Sequence, residues 1–234
     1  MMKQELLAVL RAAGKQDLSI PEEKRLAIPQ NPLLKPYLQE IAEFAEKCRG
    51  TVIPALPYSR FKLFHETGDR WQYEDGAAGY FPRRGRIGAF GVLAWLYGHE
   101  EDIHELEDII WAICDEYTWS LPAHVEREAF TSQLENDAYM VDLFAAETAQ
   151  TLAEICFLMG ERLAPIVRLR VERLLNERVF ERVLARDFNW MSATHNWAAV
   201  CAGSVGMAAI YAIEDEERLS QVLARLLPDR KSVV

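Results

Sequence analysis

Helical segments of two kinds alternate along this chain, and that alternation limits its fold more than any other property. Ile87 to Tyr97, Asp142 to Met159 and the run beginning at Asn196 are rich in small and bulky apolar residues and carry little charge. Each is followed by an amphipathic segment, Glu100 to Tyr117, Leu163 to Arg186 and Glu216 to Leu227, with charged residues at helical spacing. A helix that is apolar all round needs neighbours all round, whereas one with a single apolar stripe needs them on one side. The pairs therefore predict an all-α fold, an incomplete (α/α) toroid of antiparallel helix pairs with the uncharged member inside. No strict short repeat and no persuasive run of strands is visible.

The remaining segments fit this scheme. An amphipathic helix is expected from about Lys3 to Ala13, broken at Gly14, then a short helical turn starting at Pro21. Asn31 to Gly50 has a cap-like Asn, a following Pro32, periodic apolar positions and a glycine stop, which together predict a full helix. Tyr58 to Pro82 mixes many aromatic residues with polar ones without clean periodicity, and reads as a long loop over the core or as part of a binding wall. With 234 residues, half of them apolar, one large domain is expected, residues 1–57 forming N-terminal helices and a linker and 58–234 the main helical-pair region.

Charge and cysteine usage exclude several function classes. A net charge of −10 argues against nucleic acid or an anionic membrane as partner, so an anionic ligand would need a local basic site. No segment has the length and apolarity of a membrane span, and the N-terminus lacks the apolar core of a leader. The chain as read is therefore expected in the cytoplasm, with a periplasmic or extracellular location implied only if a leader precedes Met1. Cys48, Cys114, Cys156 and Cys201 are widely spaced within helical patterns, which points to reduced thiols rather than a disulfide framework. The five histidines are scattered with no HExxH or paired His–carboxylate spacing, so neither a metal nor a cofactor is expected.

The chemistry-bearing residues concentrate between Phe188 and Tyr211. The helix after Asn196 is packed with small residues, which lets neighbouring backbones approach closely and predicts burial on all sides. Thr194, His195 and Asn196 stand where its N-cap falls, at a spot that attracts negative charge. They either cap the helix, with His195 a satisfied histidine, or open onto a ligand, and the bracket of Trp190 and Trp197 favours the second reading. Arg83, Arg84 and Arg86 precede the helix from Ile87 in the same manner; they are either a basic site for a carboxylate or sulfate, or a cluster that neutralises nearby acids. His124, in a loop beside Trp119, is a further candidate, and Tyr73 belongs to the aromatic wall.

Three segments carry a family resemblance. They are Ile113-Cys-Asp-Glu-Tyr-Thr-Trp-Ser-Leu-Pro-Ala-His124, Asp142-Leu-Phe-Ala-Ala-Glu-Thr-Ala149, and His195-Asn-Trp-Ala-Ala-Val-Cys-Ala-Gly-Ser-Val-Gly206. From about Trp71 onward the chain resembles the N-terminal toroid of heparinase II/III-like polysaccharide lyases, the Asn-Trp-x-x-Val-Cys-x-Gly element being the most specific part.

The resemblance implies β-elimination on a uronic-acid polysaccharide. There the sugar carboxylate is neutralised, a base removes the C5 proton and an acid protonates the departing glycosidic oxygen. Asn196 matches the asparagine that holds the carboxylate, His195 stands where many relatives carry another asparagine, and His124 matches a histidine following the Trp-x-x-Pro element. Trp119, Trp190 and Trp197 are implied as stacking walls, with core packing the expected role of at least one of them; Arg83, Arg84 and Tyr73, from the residue pattern itself, are the further candidate substrate contacts. The implied partner is an acidic polysaccharide or oligosaccharide. The family's acid tyrosine falls after this element and its β-sandwich follows later; the sequence ends at Val234 with neither, and Tyr211 is too deep in its helix to substitute. Little or no turnover is therefore expected. The alternative is a non-catalytic carbohydrate-binding or protein-interaction module, whose exposed apolar edge would support a homo-oligomer.

Overall fold

Every regular element is helical among the described residues, which are 2–13, 18–76, 79–125 and 139–227 of this computed structural model; no strand occurs there. In chain order the helices are α1 (Met2–Ala13), α2 (Glu22–Ala27), α3 (Lys35–Cys48), α4 (Tyr58–Thr67), α5 (Trp71–Glu74) and α6 (Tyr80–Tyr97). They continue with α7 (Glu100–Cys114), α8 (Leu143–Met159), α9 (Pro165–Leu175), α10 (Glu181–Ala185), α11 (Asn196–Ala212) and α12 (Glu216–Leu226). A π-helical turn, Asn176–Phe180, joins α9 to α10. No helix among the described residues is long and apolar enough to cross a membrane. The expected break at Gly14 lies outside the described residues.

The chain sorts into two compact units, one made of Met1–Asp17, Tyr117–Phe157 and Arg170–Val234, the other of Leu18–Glu116 and Leu158–Leu169. In the second of these, α6 and α7 are joined by the left-handed Gly98 (φ 69°), which ends α6 and reverses the chain. Leu106, Ile109, Ile110 and Ile113 of α7 are buried, at about 1.5–3 kcal/mol each. The last carbonyls of α6 are held by two guanidinium groups. Arg25 donates to Trp95 O at 3.0 Å and Leu96 O at 2.8 Å, and Arg162 to Ala94 O and Trp95 O at 3.3 Å each. Cations there also oppose the partial negative charge of the helix end.

Two expectations for this unit are corrected. Arg83, Arg84 and Arg86 do not precede the helix but lie inside it, because α6 begins at Tyr80 with Pro82 tolerated in its first turn. Tyr58 to Pro82 is largely helical rather than a long loop: α4 ends at the left-handed Gly68 (φ 78°), and α5 follows. Its aromatic side chains obscured the helical period by facing both inward, as Phe61 and Tyr73 do, and outward, as Tyr58 and Trp71 do.

In the other unit α1 packs on α12 and is linked to it by ion pairs, Lys3 with Glu217 at 3.4 Å and Arg11 with Glu216 at 3.8 Å. α11 also packs on α12, where a Cβ placed on Gly206 would stand 3.7 Å from Leu226, an ordinary packing distance. At the start of α8 Phe144 stacks on His124, which touches Trp197 of α11, and at the far ends of the two helices Phe157 meets Tyr211. α11 is not buried on all sides: Cys201, Val205, Ala208 and Ala209 are enclosed, but Ala199, Gly203, Met207 and Ile210 form an exposed stripe. Small apolar residues fit a close helix contact, and they fit a bare surface equally well.

Candidate functional site

The candidate site lies at the start of α11. A recess of about 480 Å3 opens there, lined by Asn189, Trp190, His195, Asn196 and Trp197. None of these side chains is a carboxylate, ammonium or guanidinium. Asn189 and Asn196 are exposed, and neither carboxamide has a hydrogen-bond partner among the described residues. The lining thus offers uncommitted amide donors and acceptors between aromatic walls, at a helix end whose first N–H groups point outward.

Local structure fixes each wall. His195, in extended conformation (φ −106°, ψ 177°), is the N-cap of α11, so neither Thr194 nor Asn196 fills that place. Its Nδ1 accepts the Trp197 backbone N–H at 3.4 Å, a long bond. In a neutral imidazole the proton then sits on Nε2, as a donor. Trp190 lies in the 3-10 turn Asn189–Ser192, stacked on Phe188 with ring centroids 5.8 Å apart, and its Nε1–H donates to Val141 O at 2.7 Å. It is only 2% exposed, so the recess meets its rim rather than an open face. Trp197 is half-buried and meets both histidines edge-on, His124 at 4.6 Å and His195 at 6.1 Å between centroids.

His124 reaches Trp197 from the segment after α7. That segment is anchored by Ser120 Oγ, which donates to Met140 O at 2.7 Å, and by the buried Asp142. Asp142 caps α8, accepting the Ala145 N–H at 2.7 Å, and also accepts the Leu121 N–H at 3.2 Å. Its Oδ2 lies 2.7 Å from His124 Nδ1. Trp119, 1% exposed, packs against the Arg178 guanidinium, 5.0 Å from its ring centroid. Sequence reading passed over Asp142 and Asn189. The cap position of Asp142 before an apolar run was a usable signal, whereas Asn189 is recognisable only once its turn is folded.

The other candidates sit in the unit that holds α6 and α7 and are taken up by one carboxylate. Arg83 donates to Glu116 at 2.8 Å, to Ala112 O at 2.9 Å and to Pro54 O. Arg84 bonds both Glu116 oxygens, at 2.8 and 2.6 Å, and lies over the Tyr80 ring. Tyr73 is buried against Phe61 and Tyr80, and burial, then the Glu116 charge, pushes its phenol up. Tyr211, near the far end of α11, is half-buried, and its phenol is raised by burial and by Glu154.

Among the described residues no three His, Cys, Asp or Glu side chains converge as a metal site would require. No family model matches the chain, and no curated protein matches it.

Proposed function

We propose that the mouth of α11 binds an acidic sugar of a uronate-containing polysaccharide, and that the chain is a helical lyase scaffold of the (α/α) toroid type. The single observation carrying this reading is the recess with uncommitted carboxamides, an imidazole and indole walls at a helix N-terminus. Sugars are recognised by such a mixture, amides meeting hydroxyls and aromatic surface meeting the ring's C–H faces. The Asn196 amide, the Nε2–H of His195 and the first-turn N–H groups receive the carboxylate. Neutralised in this way, the carboxylate acidifies its C5 proton, which is the requirement for β-elimination. What supports a toroid architecture is the pair of short reversals, between α6 and α7 and between α11 and α12, each joining a largely apolar helix to an amphipathic one.

Titration of tryptophan fluorescence with tetrauronates and matched neutral tetrasaccharides tests the site. Saturable binding of the acidic series alone is expected; equal response to the neutral series would refute the carboxylate assignment. Ultraviolet absorbance of a C4=C5 unsaturated product separates turnover from the second reading, a non-catalytic carbohydrate-binding module.

A further inference from the structure

We infer that the recess at the start of α11 accepts uronates only in unsulfated form, and that Asn189 is the residue that sets this limit. The inference deepens the acidic-sugar reading and rests on it.

Charge accounting carries the assignment. A uronate brings one negative charge per sugar, and every sulfate ester brings another that stays ionised. The start of α11 supplies the equivalent of about half a positive charge, to which the Asn196 amide and the Nε2–H of His195 add neutral donors. Those groups match a single carboxylate. The walls are Asn189, Trp190, His195, Asn196 and Trp197, so among the described residues no guanidinium or ammonium lines the recess. A sulfate seated there would shed its water without meeting a counter-charge, which is unfavourable in a part-enclosed site.

The cations carried by the flanking elements are already taken up. Arg182 donates to Glu177 O at 3.0 Å and covers the Tyr139 ring at 4.0 Å. Arg186 donates to Tyr139 O at 3.2 Å and lies over Phe188, the ring that stacks on Trp190. Arg225 pairs with Asp187 at 2.6 Å and donates to the carbonyls of Val183 and Arg186 at 3.1 Å each. All three fasten the chain between residues 183 and 188 or its neighbours, so the turn is built with arginines while the recess it lines stays neutral.

Asn189 holds the position that decides the matter. The two indoles are walls, and His195 and Asn196 receive the carboxylate, which leaves Asn189, on the preceding turn, to meet the rest of the sugar. Its side chain is exposed and makes no hydrogen bond among the described residues. A carboxamide donates and accepts, as a hydroxyl does, but it offers a sulfate no charge.

Paired titrations of the full chain test the limit. Tryptophan fluorescence is followed near pH 8, where an ordinary imidazole is neutral, and in about 0.15 M salt, which screens the net charge of −10 beyond about 8 Å. The probes are tetragalacturonate and unsulfated chondroitin tetrasaccharide, each beside its O-sulfated derivative. The unsulfated probes should saturate the signal, and the sulfated ones should bind about tenfold more weakly or worse; Asn189→Arg should narrow that gap about tenfold. Sulfated probes bound as tightly as their unsulfated partners would overturn the limit and leave the sugar reading standing. A gap that Asn189→Arg leaves unchanged would remove Asn189 from the assignment. If that variant fails to fold, Asn189→Lys supplies the same charge, and the wild-type pairs decide the exclusion of sulfate by themselves. Silence from every probe would sink the sugar reading, and this inference with it.

Discussion

The Trp190 indole donates its N–H to the carbonyl oxygen of Val141 at 2.7 Å, and so fastens the turn before α11 to the strut of chain that leads into α8. Val141 is adjacent to the Asp142 cap, so this bond ties the turn that lines the recess to the segment whose carboxylate holds His124. Trp190→Phe keeps most of the packing and leaves a buried carbonyl unpaired. A loss of about 1–3 kcal/mol is expected by chemical denaturation. An unchanged midpoint with unchanged slope would show that the bond contributes nothing net.

Glu116 joins Arg83 and Arg84, at 2.6–2.8 Å. Glu116→Gln removes the negative charge that both guanidinium groups share, and Arg83 is buried. Removing one side of a buried ion pair costs about 3–5 kcal/mol. Thermal unfolding should show the drop, whereas sugar affinity measured on the folded fraction should stay as in the wild type. Loss of affinity in folded Glu116→Gln would mean that the arginines also serve the ligand.

Cys201 makes the protein sensitive to alkali in a defined window. Burial, followed by the Asp142 and Glu147 charges, pushes its thiol from 9.0 up to about 12. Below pH 9 the thiol is neutral in folded and unfolded chains alike, and contributes no pH dependence. Between those values the unfolded chain releases a proton that the folded chain keeps, so stability falls as pH rises, by at most ~1.4 kcal/mol per unit from this group. Cys201→Ala should flatten that part of the stability–pH curve in urea titrations; a curve of the same slope would put the sensitivity elsewhere.

Asn196→Ala should weaken tetrauronate binding about tenfold or more, since hydrogen bonds to charged groups contribute about 1.5–3 kcal/mol. The side chain is exposed and the cap belongs to His195, so the melting temperature should hold. Calorimetric titration beside a thermal melt reads both quantities. Full affinity in a folded Asn196→Ala protein would remove the carboxylate cradle.

Much of the helical layout was legible from local sequence because periodicity and stop signals act within a few residues. Gly98 ends α6 where expected, and the apolar stripe of α7 is the buried one. What escaped depended on distant partners. Arg83 and Arg84 could be either a basic site or neutralisers of nearby acids, because Glu116, more than thirty positions later, gives no local sign of receiving them. α11 read as enclosed because small apolar side chains are the same letters whether a neighbour covers them or not. At the site, the grouping of Trp190, His195, Asn196 and Trp197 follows from adjacency in the chain, but the choice of His195 as cap is a matter of its extended backbone. The approach of His124 depends on the Asp142 clasp, which joins residues eighteen positions apart.

The route of the chain through its two units has a consequence for biogenesis. Arg162 grips the end of α6, and the Ala164 amide is received by Glu107, so the unit begun at Leu18 gains its last ties only after an intervening stretch assigned to the other unit has been translated. The other unit in turn seats α1 against α12, two helices separated by most of the intervening sequence. No single cut would separate the two units, and newly made α1 must wait for its partner until α12 has been translated.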